Sequence, residues 1–183
     1  MSGRPGISRL ANGFLCFGPA TFVSCAFILS QFAQKGCKFI KLSDGDTSDM
    51  QYAGIYCWRS TNGVDFRYGE SFEYSDEHEL ARQMALAVTI MGAVAWGVFF
   101  LAACTRFPPA LWLLVSLTLV ATCICEGLIF KFFNIGWCQT TDCGLATSSR
   151  CGISACVLWG ISSFMTCGIF KEAQDKENNQ DEE

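Results

Sequence analysis

The chain has 183 residues, of which 51% are hydrophobic and only 16% charged, and its mean hydropathy is +0.29. This composition is unusual for a soluble globular protein and typical of a small membrane protein. The net charge of −4 comes with no basic patch or nucleic-acid motif, so we expect no nucleic-acid binding. There is one histidine, no G-x-S-x-G, no phosphate-binding loop and no C-x-x-C pair, so we expect neither catalysis nor a cofactor.

Four apolar runs each have about the twenty residues that a helix needs to cross a hydrocarbon core of roughly 30 Å. They are approximately Leu10–Ala33, Met84–Cys104, Phe107–Phe130 and Gly152–Phe170. The sequence therefore predicts an all-α membrane domain over residues 1–170, built as a four-helix transmembrane bundle. The first run could instead be a cleaved signal peptide, but its length and the lack of a clean small-x-small site favour a retained helix.

The first loop, residues 34–83, is far longer than a connection between neighbouring helices requires. Polar and apolar residues alternate in KFIKL from Lys38 and around VDFRY from Val64, and the TNG before Val64 is typical of a hairpin turn. We expect a small antiparallel sheet of about three strands on the membrane surface. A sheet this small needs a covalent staple, which a Cys37–Cys57 disulfide would provide.

The stretch YAGIYCWRS, from Tyr52 to Ser60, surrounds one of these cysteines with aromatic residues. We expect Tyr56 and Trp58 to pack the sheet. The alternative is that Tyr56, Trp58 and Arg59 form a protein-binding surface, because loops carry recognition and aromatic residues and arginine are enriched at interfaces.

The single histidine, His78, lies in SDEHE, just before the second apolar run. Carboxylates at a helix start are stabilised by the helix dipole. We therefore expect His78 to belong to a solvated cluster at the start of the helix and not to bind a metal.

The second loop, residues 131–151, contains Cys138 and Cys143, and Cys151 lies at the start of the fourth run. With the two cysteines of the first loop the total is odd, so one cysteine stays free or pairs between molecules. Within this loop Cys138 can pair with Cys143, or either of them with Cys151. We favour Cys138–Cys143, because the intervening residues can turn tightly, whereas Cys151 should begin the fourth helix. A bond from Cys57 to Cys138 is the rival, and it would clamp the two loops together.

The cysteines also predict which side of the membrane the loops occupy. Both loops contain cysteines that can pair, and disulfides persist in oxidising compartments, so both loops should face the exterior or a lumen. Both termini are then cytosolic. The tail, residues 171–183, carries six acids and two bases and should be disordered. Cys104 and Cys167, at the cytosolic ends of their helices, are candidates for palmitoylation.

Glu126 is the only acid well inside an apolar run, and Thr118, Thr122 and Glu126 recur every four residues on one helix face. A carboxyl group at this depth either bonds to a neighbouring helix as structural glue or has a proton, ion or substrate role.

Small residues four apart predict the helix seams of a tightly packed bundle with bulky Phe, Leu and Trp side chains outward. These residues are Cys16, Ala20 and Ser24; Ala85, Thr89, Ala93 and Gly97; and Gly152, Cys156, Gly160 and Gly168, the last stripe being interrupted by Phe164. Such packing favours a solid scaffold over a wide pore within one chain.

The layout of four spans with a long β-rich first loop resembles the claudin and peripheral-myelin-protein superfamily. GIYC, Gly54 to Cys57, resembles that superfamily's G-L-W-x-x-C signature, with Tyr56 at the tryptophan position. The resemblance implies a structural or adhesion-type membrane protein that assembles with itself or a neighbouring membrane complex. The alternatives are an accessory subunit of a channel, transporter or other large assembly, and an oligomeric channel with Glu126 near the pore.

Overall fold

The computed structural model describes residues 7–42, 50–69, 74–102, 105, 107–135, 138 and 142–180, with the backbone alone for 7–16, 172, 173 and 175–180. In chain order its elements are helix α1 (Ile7–Lys35), strands β1 (Ile40–Leu42), β2 (Met50–Ala53), β3 (Cys57–Ser60) and β4 (Asp65–Arg67), helices α2 (Asp76–Ala102) and α3 (Pro109–Ile129), a 3-10 turn (Phe130–Asn134), strand β5 (Cys143–Leu145) and helix α4 (Thr147–Gln180).

Three helical segments of the described chain are long and apolar enough to cross a membrane: Asp76–Ala102, Pro109–Asn134 and Thr147–Lys171. They correspond to the second, third and fourth predicted runs. The third begins with a proline at its first position, where a missing N–H costs nothing. The four helices run alternately up and down, and each packs on two neighbours in the cyclic order α1–α2–α3–α4.

The seam between α3 and α4 is made of reciprocal polar contacts. The hydroxyl groups of Ser116 and Ser163 each lie 3.2–3.3 Å from the other's backbone carbonyl. Seven residues forward along α3 and seven residues back along α4, the thiols of Cys123 and Cys156 do the same at 3.3 and 3.5 Å. A seven-residue repeat running in opposite directions is the pattern of an antiparallel left-handed helix pair.

A tryptophan occupies the centre of the bundle. Trp159 of α4 is fully buried, and a Cβ placed on Gly92 of α2 would lie 3.2 Å from its ring and 3.0 Å from Phe27 of α1. The expectation that bulky side chains face outward is therefore wrong for Trp159, and also for Phe99 and Trp112, which are buried between the helices. Trp159 belongs to a buried apolar cluster to which all four helices contribute side chains.

The predicted seams are only partly right. In α2 Ala85 is buried, but Ala93 is exposed, and in α4 Gly152 is buried, but Gly168 is exposed. The buried positions of α2 are His78, Ala81, Ala85, Val88, Gly92, Ala95 and Phe99. These alternate between steps of four and three residues, whereas a strict step of four drifts about 40° around the helix each time. The side chain of Cys16 lies outside the described residues.

The strands form one antiparallel sheet in the order β4–β3–β2–β1–β5. The first loop supplies four strands, against about three predicted from its pattern. The second loop supplies β5, which the sequence pattern does not predict, and β5 pairs with β1 from Ile40–Leu145 to Leu42–Cys143. The two loops are therefore one structural unit. The predicted hairpin turn is confirmed: Gly63 has a φ of 81° and donates to the carbonyl of Ser60 at 2.9 Å.

One side of the sheet rests on the helices. Ile40, Leu42 and Ala53 are buried in one apolar cluster with the first turns of α2 and the end of α3. The remaining members of this cluster are Phe39, Ile55, Ala81, Ala85, Val88, Ile129, Phe132 and Ile135. The sheet thus covers one end of the bundle.

His78 lies in this junction, so the expectation that it is solvated is wrong. It is 2% exposed, and its Nε2–H donates to the carbonyl of Ile55 at 2.8 Å. The rings of Tyr68, Tyr74 and Phe132 meet it edge-on, with centroid distances of 5.1, 4.8 and 4.9 Å. The physical reason is that α2 begins at Asp76, well before the apolar run, and the first loop folds back over this extra turn.

Helix α4 also continues beyond its predicted end. Residues 171–180, expected to be disordered, are helical as far as Gln180. Glu, Lys, Gln and Ala have high helix propensity, so a preformed helix can extend through them without burying a side chain. Residues 181–183 lie outside the described residues.

Candidate functional site

Both predicted disulfides are present in the structure. Cys37–Cys57 joins the residues just after α1 to β3, with a Cα–Cα distance of 5.0 Å, and Cys138–Cys143 closes the second loop at 5.3 Å. Cys151 is a free cysteine within α4. The alternative Cys57–Cys138 disulfide is absent. The two loops are joined instead by the backbone pairing of β1 with β5.

The GIYC turn is held by close backbone contacts. A Cβ on Gly54 would lie 2.5 Å from the carbonyl oxygen of Gly36 and 2.8 Å from the Cα of Cys37, so only glycine fits. The N–H of Gly54 donates to the carbonyl of Cys57 at 2.8 Å, and Ile55 between them is fully buried. The motif therefore fixes the disulfide of β3 against the end of α1.

The strand register separates the sheet into two faces with different chemistry. One cross-strand row contains Gly144, Lys41, Tyr52, Arg59 and Asp65, and we call it the outward row. The next row contains Leu145, Ile40, Ala53, Trp58 and Phe66, and we call it the bundle-facing row because its middle members are buried on the helices.

The structure distributes the three predicted interface residues over three places. Arg59 lies in the outward row and forms an ion pair with Asp65, with Nη2 2.7 Å from Oδ2. The hydrogen bond from Arg59 lowers the pKa of Asp65. Trp58 lies in the bundle-facing row and stacks on Phe66. The three residues therefore do not form one patch.

Tyr56 belongs to the turn between β2 and β3 and is 37% exposed. Contrary to the expectation from its position in YAGIYC, Tyr56 does not pack the sheet. It covers Arg82 of α2, whose guanidinium carbon lies 5.6 Å from the tyrosine ring centroid. Tyr74 lies on the same guanidinium at 4.5 Å. Burial raises the pKa of Tyr56, and the charge of Arg82 opposes this.

Glu126 ends a chain of hydrogen bonds that joins three helices. It is 1% exposed, and its Oε2 accepts a hydrogen bond of 2.7 Å from Ser30 of α1. Gln34 Nε2 donates to Ser30 at 2.9 Å, and Gln34 Oε1 accepts from Thr89 of α2 at 2.9 Å. Gln31 Nε2 donates to Thr89 at 3.0 Å. In each of these contacts a donor group faces an acceptor.

The two threonines predicted beside Glu126 have a different role. Thr118 and Thr122 each donate to a carbonyl one turn back in α3, at 2.9 and 2.8 Å. Those hydroxyl groups donate to backbone carbonyls of their own helix and therefore do not extend the chain of hydrogen bonds from Glu126. The polar partners that sequence reasoning missed, Ser30 and Gln34, are four residues apart on one face of α1, and that spacing was their only signal.

Aromatic rings cover this chain of hydrogen bonds on the side that faces the sheet. Phe39 follows α1, and its ring centroid lies 5.5, 5.7 and 6.0 Å from those of Phe130, Phe132 and Phe133. On the side of α4, a Cβ on Gly152 would lie 3.5 Å from Glu126 Oε1. The carboxyl group is thus enclosed by α1, α3, α4 and the aromatic cluster.

Of the two predicted lipidation sites, Cys104 and Cys167, the structure describes one. Cys104 lies outside the described residues. Cys167 is an exposed free cysteine whose Sγ lies 3.0 Å from Ser116 Oγ. Its palmitoylation stays a prediction.

Within the described parts of the chain there is no group of three or more His, Cys, Asp or Glu residues that could hold a metal ion. Comparison of the chain with protein-family models gives no match, and comparison with curated proteins gives none either.

Proposed function

We propose that this chain is a structural or adhesion-type membrane protein that assembles with itself or a neighbouring membrane complex through the outward row of its stapled sheet. The observation that carries the proposal is the division of the sheet into two faces. The middle of the bundle-facing row, at Ile40 and Ala53, is buried against the helices, whereas Lys41, Tyr52, Arg59 and Asp65 point away from them. A disulfide and a strand from the second loop fix this surface before any partner binds, which lowers the entropic cost of association.

The proposed topology has four spans, with α1 as the first, both termini in the cytosol and the sheet outside. α1 has 29 residues and packs along α4 and α2. Large apolar side chains are exposed along it: Phe17 is 71%, Ile28 53% and Phe32 67% exposed. Such side chains suit contact with lipid. The disulfides favour an oxidising environment for the sheet.

The contacts of Glu126 favour structural glue over conduction. Its carboxyl group accepts a hydrogen bond from Ser30 and is enclosed by three helices. The centre of the same bundle is occupied by the buried side chain of Trp159. The resemblance to the claudin and peripheral-myelin-protein superfamily supports the same conclusion by architecture, which is a weak guide to function.

The size of the purified assembly tests the proposal. We would compare wild type, a Lys41→Glu/Tyr52→Ala variant in the outward row, and a Thr61→Ala control at the exposed hairpin tip, on native gels and by particle imaging. We expect the outward-row variant alone to lose assembly while retaining both disulfides.

The form of the particle separates the alternatives. Filaments or clusters of the chain suit the adhesion-type role. Co-purification with a large heteromer would instead point to an accessory subunit, and a closed ring to an oligomeric channel. Equal assembly of the row variant and the control would contradict the outward row as the contact surface.

A further inference from the structure

The bundle-facing row of the sheet extends beyond the helices on which it rests. Ile40 and Ala53 are fully buried, whereas Phe66, at the far end of the same row, is 43% exposed. Trp58 is half-buried between them, and its ring stacks on that of Phe66 with centroids 4.6 Å apart. Val64 precedes Phe66 by two residues, so it lies on the same side of the sheet, and it is 52% exposed.

The direction in which this overhang faces follows from the buried part of the row. Ile40 and Ala53 rest on the first turns of α2 and the end of α3, so the row faces along the helix axes toward the body of the bundle. Beyond the edge of the bundle, the same direction leads to the lipid that surrounds the helices. The opposite side carries Lys41, Arg59, Asp65 and Arg67 in the register of the outward row or its neighbour.

We propose that the Trp58–Phe66 stack, together with Val64, rests in the boundary between the headgroups and acyl chains of the membrane that the helices cross. Tryptophan is enriched at this depth because its ring is apolar and its N–H can still find a polar partner. The patch is continuous with a surface already seated on membrane-spanning helices, which is why lipid fits it better than a second protein. The inference rests on the proposed topology and goes beyond it, since it assigns Trp58 to lipid and leaves protein contacts to the outward row.

Fluorescence quenching of the full chain in nanodiscs, one chain per disc, tests this contact. The discs contain phosphatidylcholine brominated either near the headgroup or near the methyl end of the acyl chain. Subtracting the emission of Trp58→Phe from that of wild type isolates the Trp58 signal. Trp96→Phe is the matched control, because Trp96 is 38% exposed on a membrane-spanning helix.

We expect the Trp58 signal to lose most of its intensity to the shallow bromine, less to the deep bromine, and little to aqueous iodide. A Trp58 signal that iodide quenches and bromine does not, while the Trp96 signal is quenched by bromine, would overturn the lipid contact and leave the topology standing. Failure of bromine to quench either signal would overturn the membrane topology itself. Shielding from iodide that appears only in discs with several chains, without bromine quenching, would assign the stack to contacts between copies.

Discussion

Single residues define the two most constrained points of the molecule. One is Glu126, whose Oε2 accepts a hydrogen bond of 2.7 Å from the hydroxyl of Ser30 on another helix. The other is Gly54, where backbone atoms on three sides leave no room for a side chain. Each constraint depends on one or two atoms, so conservative substitutions can test it without altering the rest of the bundle.

The first test concerns the bond between Ser30 and Glu126. A double-mutant cycle of Ser30→Ala and Glu126→Leu should give a favourable coupling of about 0.6 kcal/mol, the average for interhelical hydrogen bonds in membranes, and at most about 1.7 kcal/mol. Glu126→Gln keeps an acceptor for the serine, so its free energy of unfolding should stay near that of wild type. Reversible unfolding in mixed micelles measures both. Zero coupling would contradict the glue role, and an ion flux lost in Glu126→Gln at unchanged stability would favour a channel.

The second test concerns the GIYC turn. Gly54→Ala would place a Cβ 2.5 Å from Gly36 O and 2.9 Å from Cys57 O, and neither backbone atom can move without disturbing the disulfide. We expect a loss of about 1 to 3 kcal/mol, as for other overpacked sites. Incomplete formation of Cys37–Cys57 should accompany it, seen as maleimide labelling without reduction. Gly144→Ala is the control, because nothing lies within 4 Å of its Cβ position. Full disulfide formation in Gly54→Ala would refute the steric argument.

At the scale of elements, the sequence predicts what depends on local pattern and misses what depends on tertiary contact. Apolar length identifies the helical segments of residues 76–102, 109–134 and 147–171, and cysteine spacing identifies both disulfides. Strand β5 is only three residues long and exists because β1 lies beside it. The burial of His78 likewise depends on a loop folding back from far along the chain, which no local pattern encodes.

Which residues of a helix face its neighbours is a third feature that depends on tertiary contact. A stripe of small residues every four positions looks like a seam, but a helix pair in a bundle uses a repeat of about 3.5 residues. Gly92 and Gly97 of α2 show the consequence. Gly92, off the predicted stripe, faces Trp159, whereas nothing lies within 4 Å of the Cβ position of Gly97, which is on the predicted stripe.

Substitution of these two glycines should therefore have opposite effects. Gly92→Ala forces its methyl group to within 3.0 Å of Phe27 and 3.2 Å of Trp159, so we expect a loss of about 1 to 2 kcal/mol. Gly97→Ala meets no atom and gains helix propensity, so it should be neutral or stabilising by up to about 1 kcal/mol. Thermal unfolding in detergent compares them. Equal effects would show that the centre of the bundle is looser than described.

At the scale of the whole molecule, the sheet joins all four helices at one end. The first loop follows α1 and contacts α2 and the end of α3 through the apolar cluster. The start of α4 is held by a bond of 3.0 Å from the N–H of Ser148 to the carbonyl of Lys38. Any partner that binds the outward row therefore acts on a body that is continuous with the membrane domain, as a scaffold requires.

The proposed sidedness of this body predicts a protease-protection pattern in intact cells. A tag after Glu183 should be protected from protease added outside, because the last helix ends on the side opposite the sheet. A tag inserted at Gly45, between β1 and β2, should be cleaved, because both disulfides favour an oxidising compartment for the loops. Permeabilised cells, in which both tags are accessible, provide the control for intrinsic cleavability. If the protein resides in an internal membrane, sealed vesicles replace cells and the Gly45 tag is the protected one. Cleavage of both tags in the intact compartment would mean an odd number of spans, with α1 not crossing, and would exclude the four-span topology on which the assembly proposal depends.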